Sequence, residues 1–365
     1  MTIRRITALA ITAASAIGLA ACGSSGSNGT SGGSSRTGSK TINGAGSTFA
    51  APIYEQWSTT LGPSGLTVTY APVGSGTGVA DLQTATVDFA GNDSPLKSDD
   101  RSGGKGPMLQ FPVAFGAITI SYNLPGVKSG LKLDGPTIAN IFLGKVKTWN
   151  DAAIKALNPG ISLPSTAITV VHRSDSSGTT DGFTKYLSAV SPTWNSQVGS
   201  GKIVKWPTGT GAAHNSGVAA GVKQTDGGVG YVEQAYAIEN DFTVASVKNS
   251  SGTYVAPSIP ATSAAANGIK VPPDLGISTI NSPNPSAYPI ASQTFIDVYK
   301  DPCKSGGASK SVADSMKSFL TYAFGDGQKT LGTGSGQLPY APLTSGLVSK
   351  DQTQLGTMTC NGSGL

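Results

Sequence analysis

Residues 170–185 read Val-Val-His-Arg-Ser-Asp-Ser-Ser-Gly-Thr-Thr-Asp-Gly-Phe-Thr-Lys. An apolar strand ending, an arginine and a small-residue turn opening a helix follow one another here, an order that aims several anion-directed donors at one point. A helix start leaves amide N–H groups unpaired at the positive end of the helix dipole. Gly178 lets the backbone approach a ligand, and the hydroxyls of Ser177 and Thr179 with the Arg173 guanidinium supply further donors. The chemistry on offer is the grip on a phosphate-like oxyanion. An ordinary N-cap turn beside a surface arginine fits the same letters.

Arginine usage narrows the field. After residue 40 only Arg101 and Arg173 occur, while lysine is plentiful, and arginine is the side chain suited to planar, multidentate oxyanion contacts. Asp175 reads as an orienting carboxylate that fixes the guanidinium and partly cancels its charge. Affinity would then come mainly from neutral dipoles and hydroxyls, with one cation assisting. Asp93 brings the opposite polarity. An ionised carboxylate only accepts hydrogen bonds, so it repels a fully deprotonated oxyanion and welcomes one that keeps a proton. Phosphate at neutral pH keeps one and sulfate does not. The other reading of Asp93 is an Asx-turn residue with no ligand.

Catalytic machinery is scarce. His172 and His214 are the only histidines, which excludes a histidine-rich metal site. After residue 40 no Cys-x-x-Cys, His-Glu-x-x-His, Gly-x-Ser-x-Gly or Walker-type loop occurs. His172 neighbours Arg173 in a strand, so the two point to opposite faces, and it reads as a surface residue. No catalytic residue, metal or cofactor is expected.

The elements that must position these groups alternate between strand and helix, the signature of α/β layers around mostly parallel sheet. Residues 41–43 lead into a small-residue turn at 44–49 and a helix over 52–61 with proline in its first turn. A strand over 66–70 ends at the 74–78 glycine turn, before a helix over 79–86. A short strand over 87–90 ends at 91–93. With 173–179 these turns repeat one motif, a strand running into small residues, and ligands of open α/β sheets sit at such strand ends. Long strand candidates at 113–123 and 288–299 bracket a block with helices and strands of its own, predicting two lobes between which the chain crosses and returns. Val312, Met316, Phe319, Leu320 and Ala323 mark one apolar helix face. Trp149, Trp194 and Trp206 read as packing residues.

Residues 1–21 carry Arg4 and Arg5, a weakly apolar run and then small residues, the layout of a secretory signal peptide. The segment is too short and too rich in threonine and serine to span a bilayer. Leu19-Ala20-Ala21-Cys22 resembles the lipobox of bacterial lipoproteins, with Cys22 as the lipidation site; an ordinary signal peptide with a chance cysteine is the alternative. Residues 23–40 hold six glycines, seven serines and no apolar side chain, a flexible tether with a reach of about 23 Å. Removing 21 of 365 residues leaves 344, enough for two lobes with cores. Loss of Arg4 and Arg5 takes the formal charge from +5 to +3, and no basic stripe follows. Nucleic acid is therefore not an expected partner. Cys303 and Cys360 remain as an even pair for an oxidising compartment, either bridged and clamping the C-terminal tail or present as two buried thiols.

Five ordered motifs carry a family resemblance. They are Gly44-Ala45-Gly46-Ser47-Thr48-Phe49, Gly74-Ser75-Gly76-Thr77-Gly78, Asp88-Phe89-Ala90-Gly91-Asn92-Asp93-Ser94-Pro95-Leu96, Arg173-Ser174-Asp175-Ser176-Ser177-Gly178-Thr179 and Gly228-Val229-Gly230-Tyr231-Val232-Glu233. Together they resemble the substrate-binding lipoprotein of the phosphate-specific ABC importer, over a span from about Ile42 to at least Tyr299. Ala50 stands where the family commonly has proline, and Gly91-Asn92 replaces a more usual Ala-Ser.

The resemblance implies an α/β, two-lobed periplasmic-binding-protein fold of the type II class, with two hinge-crossing strands and a ligand cleft between lobes. Lobe I would comprise 41–122 plus 288–365, and lobe II 123–287. Thr48 and Phe49 would offer a hydroxyl and backbone amides, and Ser75 a hydroxyl and amide. Asp93 would accept the phosphate proton and Arg173, oriented by Asp175, would make the charged contact. Ser177, Gly178 and Thr179 would cap the anion. The implied protein is not an enzyme. It is a monomer held at the extracytoplasmic face of the cell membrane by its lipid anchor, with inorganic phosphate and ABC permease subunits as partners. A binder of another oxyanion, a secreted phosphatase using Ser75 or Ser177 as nucleophile, and a surface adhesin that keeps the fold without the site are the competing readings.

Overall fold

The computed structural model describes residues 40–365. The signal segment, Cys22 and the tether up to residue 39 lie outside the described residues. The main sheet has nine strands: β1 (Thr41–Gly46), β2 (Thr67–Ala71), β3 (Phe89–Asn92), β4 (Met108–Asn123), β5 (Thr169–Arg173), β6 (Thr210–Ala212), β7 (Gly228–Glu233), β8 (Thr243–Val244) and β9 (Ala291–Tyr299). Their order is β2-β1-β3-β9-β4-β7-β5-β6, with β8 also on β4. The flanks are parallel, as β1 pairs with β2 and β3, and β5 with β6 and β7.

The centre is antiparallel, which corrects the expectation of a mostly parallel sheet. β9 runs against β3 and β4, and β4 against β7 and β8. β4 changes partner along its length. Residues 108–117 pair with β9 and Ile118–Asn123 with β7. One strand thus serves both lobes of this α/β structure, and the returning chain must run against it, because it crosses in the opposite direction. β4 is buried along nearly all of its 16 residues, which explains its continuous apolar reading.

Helices α1 (Ala51–Leu61), α2 (Ser75–Gln83), α3 (Gly178–Val190), α4 (His214–Gln224), α5 (Gln234–Glu239), α6 (Lys310–Ala323) and α7 (Ser345–Leu355) cover the sheet or extend from its strand ends. α6 buries Val312, Met316, Phe319, Leu320 and Ala323, the face expected from their spacing. Trp57 of α1 meets Phe319 edge-on, with ring centroids 6.1 Å apart. Trp149 and Trp194 are buried core residues.

Several boundaries differ from expectation. β3 lies two residues later than 87–90, β4 begins at Met108 instead of 113, and β9 begins at Ala291 instead of 288. α2 begins at Ser75, so the glycine-rich 75–78 segment is a first helical turn and not a loop before one. Glycine disfavours helix, but a Cβ on Gly78 would lie 2.4 Å from the Gly46 Cα, so close helix-to-strand packing overrides the local preference. Cys303 and Cys360 form a disulfide, which ties the last strands of the tail to the body.

Candidate functional site

Asp93 follows β3 and is 1% exposed. Its Oδ1 accepts from Ser47 Oγ at 2.6 Å and Thr294 Oγ1 at 2.8 Å, and its Oδ2 from Ser75 Oγ at 3.3 Å. A register shift in the β4–β9 ladder falls beside Thr294, where bulges re-aim side chains. Burial pushes the Asp93 carboxyl up to about 6, with the hydroxyls of Ser47 and Thr294, the Arg173 charge and Ser75 opposing it. At neutral pH the group is mostly an ionised acceptor.

Arg173 ends β5 and is 2% exposed. Its Nε donates to Asp175 Oδ1 at 2.6 Å and its Nη2 to Asp175 Oδ2, a two-point fork. Nη1 reaches Thr179 Oγ1 at 3.4 Å. Burial raises the Asp175 carboxyl, but the hydrogen bonds and charge of Arg173, with the His214 amide, outweigh it and hold it below the usual carboxylate range. The guanidinium is therefore pinned and half neutralised.

The start of α3 faces the start of α2. Gly178 N–H donates to Ser75 Oγ at 3.2 Å, and Gly76 N–H to the Ser176 carbonyl at 3.0 Å. A Cβ on Gly178 would lie 2.5 Å from Ser75 Oγ and 2.6 Å from Asp93 Oδ2, so only glycine permits this approach. Ser177 Oγ caps its own helix by accepting from the Thr180 amide at 3.0 Å. One lone pair and its O–H remain.

Thr48 and Phe49 sit between β1 and α1, both buried. The Phe49 amide donates to Ser47 Oγ at 3.0 Å and its carbonyl accepts from Tyr340 Oη at 2.7 Å. Thr48 Oγ1 accepts from Asn215 Nδ2 at 2.9 Å, and its carbonyl from Tyr236 Oη at 2.7 Å. Ser94 Oγ donates to Asp181 Oδ2 at 2.6 Å. The Thr48 and Ser94 bonds join the β1–β3 lobe to the β5–β7 lobe across the site.

The structure brings Thr48, Ser75, Asp93, Arg173, Asp175, Gly178 and Thr179 into one connected network, with Phe49 and Ser177 at its edge. Sequence reasoning missed Ser47, Thr294 and Asn215. Ser47 stood inside a quoted motif, and Asn215 heads a helix among small polar residues, a start signal in itself; nothing local singles out Thr294. His172 is half-buried, with its ring stacked on Trp206 at 4.7 Å. Neither serine of the phosphatase reading bonds to an imidazole: Ser75 Oγ meets Asp93 and the Gly178 amide, and Ser177 Oγ the Thr180 amide.

Comparison with solved structures identifies the class. The chain matches a high-affinity periplasmic phosphate-binding protein, PfluDING, bound with phosphate at pH 8.5. The TM-score is 0.67 at 22% identity, over 86% of this chain and 93% of that one. A phosphate binding protein from Stenotrophomonas maltophilia gives a TM-score of 0.63 at 21% identity, over 88% of this chain and 96% of that one. At such identities the likeness defines the fold, the two-lobed architecture of periplasmic binding proteins. A family model described as a PBP superfamily domain matches residues 31–326. The phosphate-binding protein PstS of Xylella fastidiosa (strain Temecula1) is 40% identical over 319 residues, 86% of this chain and 85% of that protein. PstS of Pasteurella multocida (strain Pm70) is 40% identical over 332 residues, 90% of this chain and 93% of that protein. The chain belongs to the PBP superfamily and, within it, to the PstS family of binding proteins, which are not enzymes.

Proposed function

We propose that this chain is an extracytoplasmic, lipid-anchored protein that closes its lobes on inorganic phosphate and hands it to the permease subunits of an ABC importer. The observation that carries the reading is a buried carboxylate, Asp93, set among donors from both lobes. In this reading Asp93 accepts the phosphate proton and Arg173, held by Asp175, supplies the charge. Thr48, Phe49, Ser75, Ser177, Gly178 and Thr179 supply neutral donors. The names of its relatives point the same way. Donors from two lobes meeting one anion would stabilise the closed state by differential affinity.

The anchor is assigned to Cys22 after removal of residues 1–21, with 22–40 as tether. No helix among the described residues is long and apolar enough to cross a membrane. Lobe I is assigned to 41–122 plus 288–365 and lobe II to 123–287, with β4 as a crossing strand; its change of partner at Ile118 supports a crossing there. The protein is assigned as a monomer.

Calorimetric titration of the signal-free protein with phosphate and with sulfate at neutral pH tests the reading. Wild type should give one-to-one phosphate heat and no sulfate heat. Asp93→Asn should lose selectivity, since an unpaired buried acceptor costs about 1–3 kcal/mol, or about 10- to 100-fold. Well-folded protein without phosphate heat would overturn the proposal, and sulfate binding by wild type would point to another oxyanion.

A further inference from the structure

Asn215 is fully buried in the first turn of α4. It follows His214, whose φ of 68° is unusual for a residue with a side chain. That backbone turns two successive amides toward the site. His214 N–H donates to Asp175 Oδ1 at 3.0 Å, and Asn215 N–H to Thr48 Oγ1 at 3.3 Å. The Asn215 side chain adds three bonds. Its Oδ1 accepts from the Glu233 amide at 3.0 Å, and its Nδ2 donates to Thr48 Oγ1 at 2.9 Å and to Thr179 Oγ1 at 3.2 Å. The Glu233 N–H can only donate, so the atom facing it is the oxygen and the NH2 group faces both threonines.

We infer that Asn215 is a positioning residue that sets the hydrogen-bond polarity of the anion site, an inference that rests on the phosphate reading above. A hydroxyl oxygen has two lone pairs and one hydrogen. Both lone pairs of Thr48 Oγ1 are taken by Asn215, through its N–H and Nδ2. Those of Thr179 Oγ1 are taken by Asn215 Nδ2 and Arg173 Nη1. Each threonine can offer a ligand only its hydrogen. The two lobes thus present donors at these points, Asp93 is left as the acceptor, and a protonated phosphate oxygen is directed to Asp93.

Asn215→Asp tests this with nearly unchanged shape. One carboxylate oxygen keeps the Glu233 bond. The other draws in the threonine hydrogens and turns their lone pairs to the ligand. Calorimetry with inorganic phosphate at pH 8 should give a loss of about 100-fold or more for Asn215→Asp and about 10-fold for Asn215→Ala. As pH is lowered to 5.5 the new carboxyl regains a proton to donate, so the ratio of Asn215→Asp to wild type should recover while that of Asn215→Ala stays flat. Arg173, Asp175, His214, Glu233 and Tyr236 surround the position and are common to all three proteins, so the ratio isolates residue 215. Asn215→Asp binding within threefold of wild type, or losses equal and pH-independent in both variants, would overturn the inference in favour of packing alone. Should Asn215→Asp fail to fold, Asn215→Ser carries the test. Its O–H can serve one threonine, so a loss smaller than that of alanine supports the role and an equal loss overturns it. Absence of phosphate heat in wild type would instead overturn the phosphate reading and this inference with it.

Discussion

A carboxylate among oxyanion donors is favourable only when the ligand brings a proton, and Asp93 is built to stay in that state. Three hydroxyls stabilise its charge while burial opposes it, leaving it near 6. Asp351 of α7 has no such support. Both of its carboxylate oxygens are buried without a hydrogen-bond partner among the described residues, and desolvation raises the group to about 9. The folded chain therefore holds a proton that the unfolded chain releases from about pH 4 upward, and stability falls as pH rises toward 9. Asp351→Asn removes that slope. Thermal melts should show a gain of several °C at pH 8 and almost none at pH 4. Equal shifts at both pH values would refute the assignment.

At the scale of elements, the site is two helix starts brought nose to nose. α2 and α3 touch through Ser75 and Gly178, and through Gly76 and the Ser176 carbonyl. Amide dipoles of both helices then converge on one volume, where an anion gains most from them. The approach leaves no room for a side chain on Gly178. Gly178→Ala should fold with a melting temperature close to wild type, because the lobes can part, but should weaken phosphate binding by about 100-fold or more, since closure would force a 2.5 Å contact. Unchanged affinity in a titration would show that the lobes need not approach this closely.

The whole molecule is organised around β4, which belongs to both lobes and gives a two-lobed body one continuous backbone. A second seam runs through Tyr340, whose hydroxyl meets the Phe49 carbonyl and Glu233 Oε2. Burial holds the Glu233 carboxyl well above its ordinary value, with the Ala235 amide and the Tyr340 hydroxyl opposing it. The disulfide closes a loop with a sequence separation of 57. In the chain-entropy account such a link contributes about 4 kcal/mol. The double variant Cys303→Ala/Cys360→Ala should therefore melt roughly 8 °C or more below the oxidised protein, with phosphate affinity within threefold, because no proposed ligand lies in the clamped tail. A large loss of affinity would place the tail in the binding function.

Residue types and turn chemistry by themselves determined that this chain offers one pinned arginine, one carboxylate acceptor and several small-residue turns at strand ends. They also determined the apolar face of α6 and the even cysteine pair. These are local properties, because a turn, a cap or a helical stripe is decided within a few neighbours. Tertiary structure decided where α2 begins, since packing against Gly46 overrides the weak helix preference of glycine. It decided that the sheet centre is antiparallel, which depends on the direction of a returning strand. It also buried Asp351 without a hydrogen-bond partner among the described residues and recruited Thr294 and Asn215 to the site. Thr48 and Asn215 stand 167 residues apart, and no local pattern links them. Which way a hydroxyl hydrogen points depends on every donor around its oxygen, and only the folded chain assembles those donors.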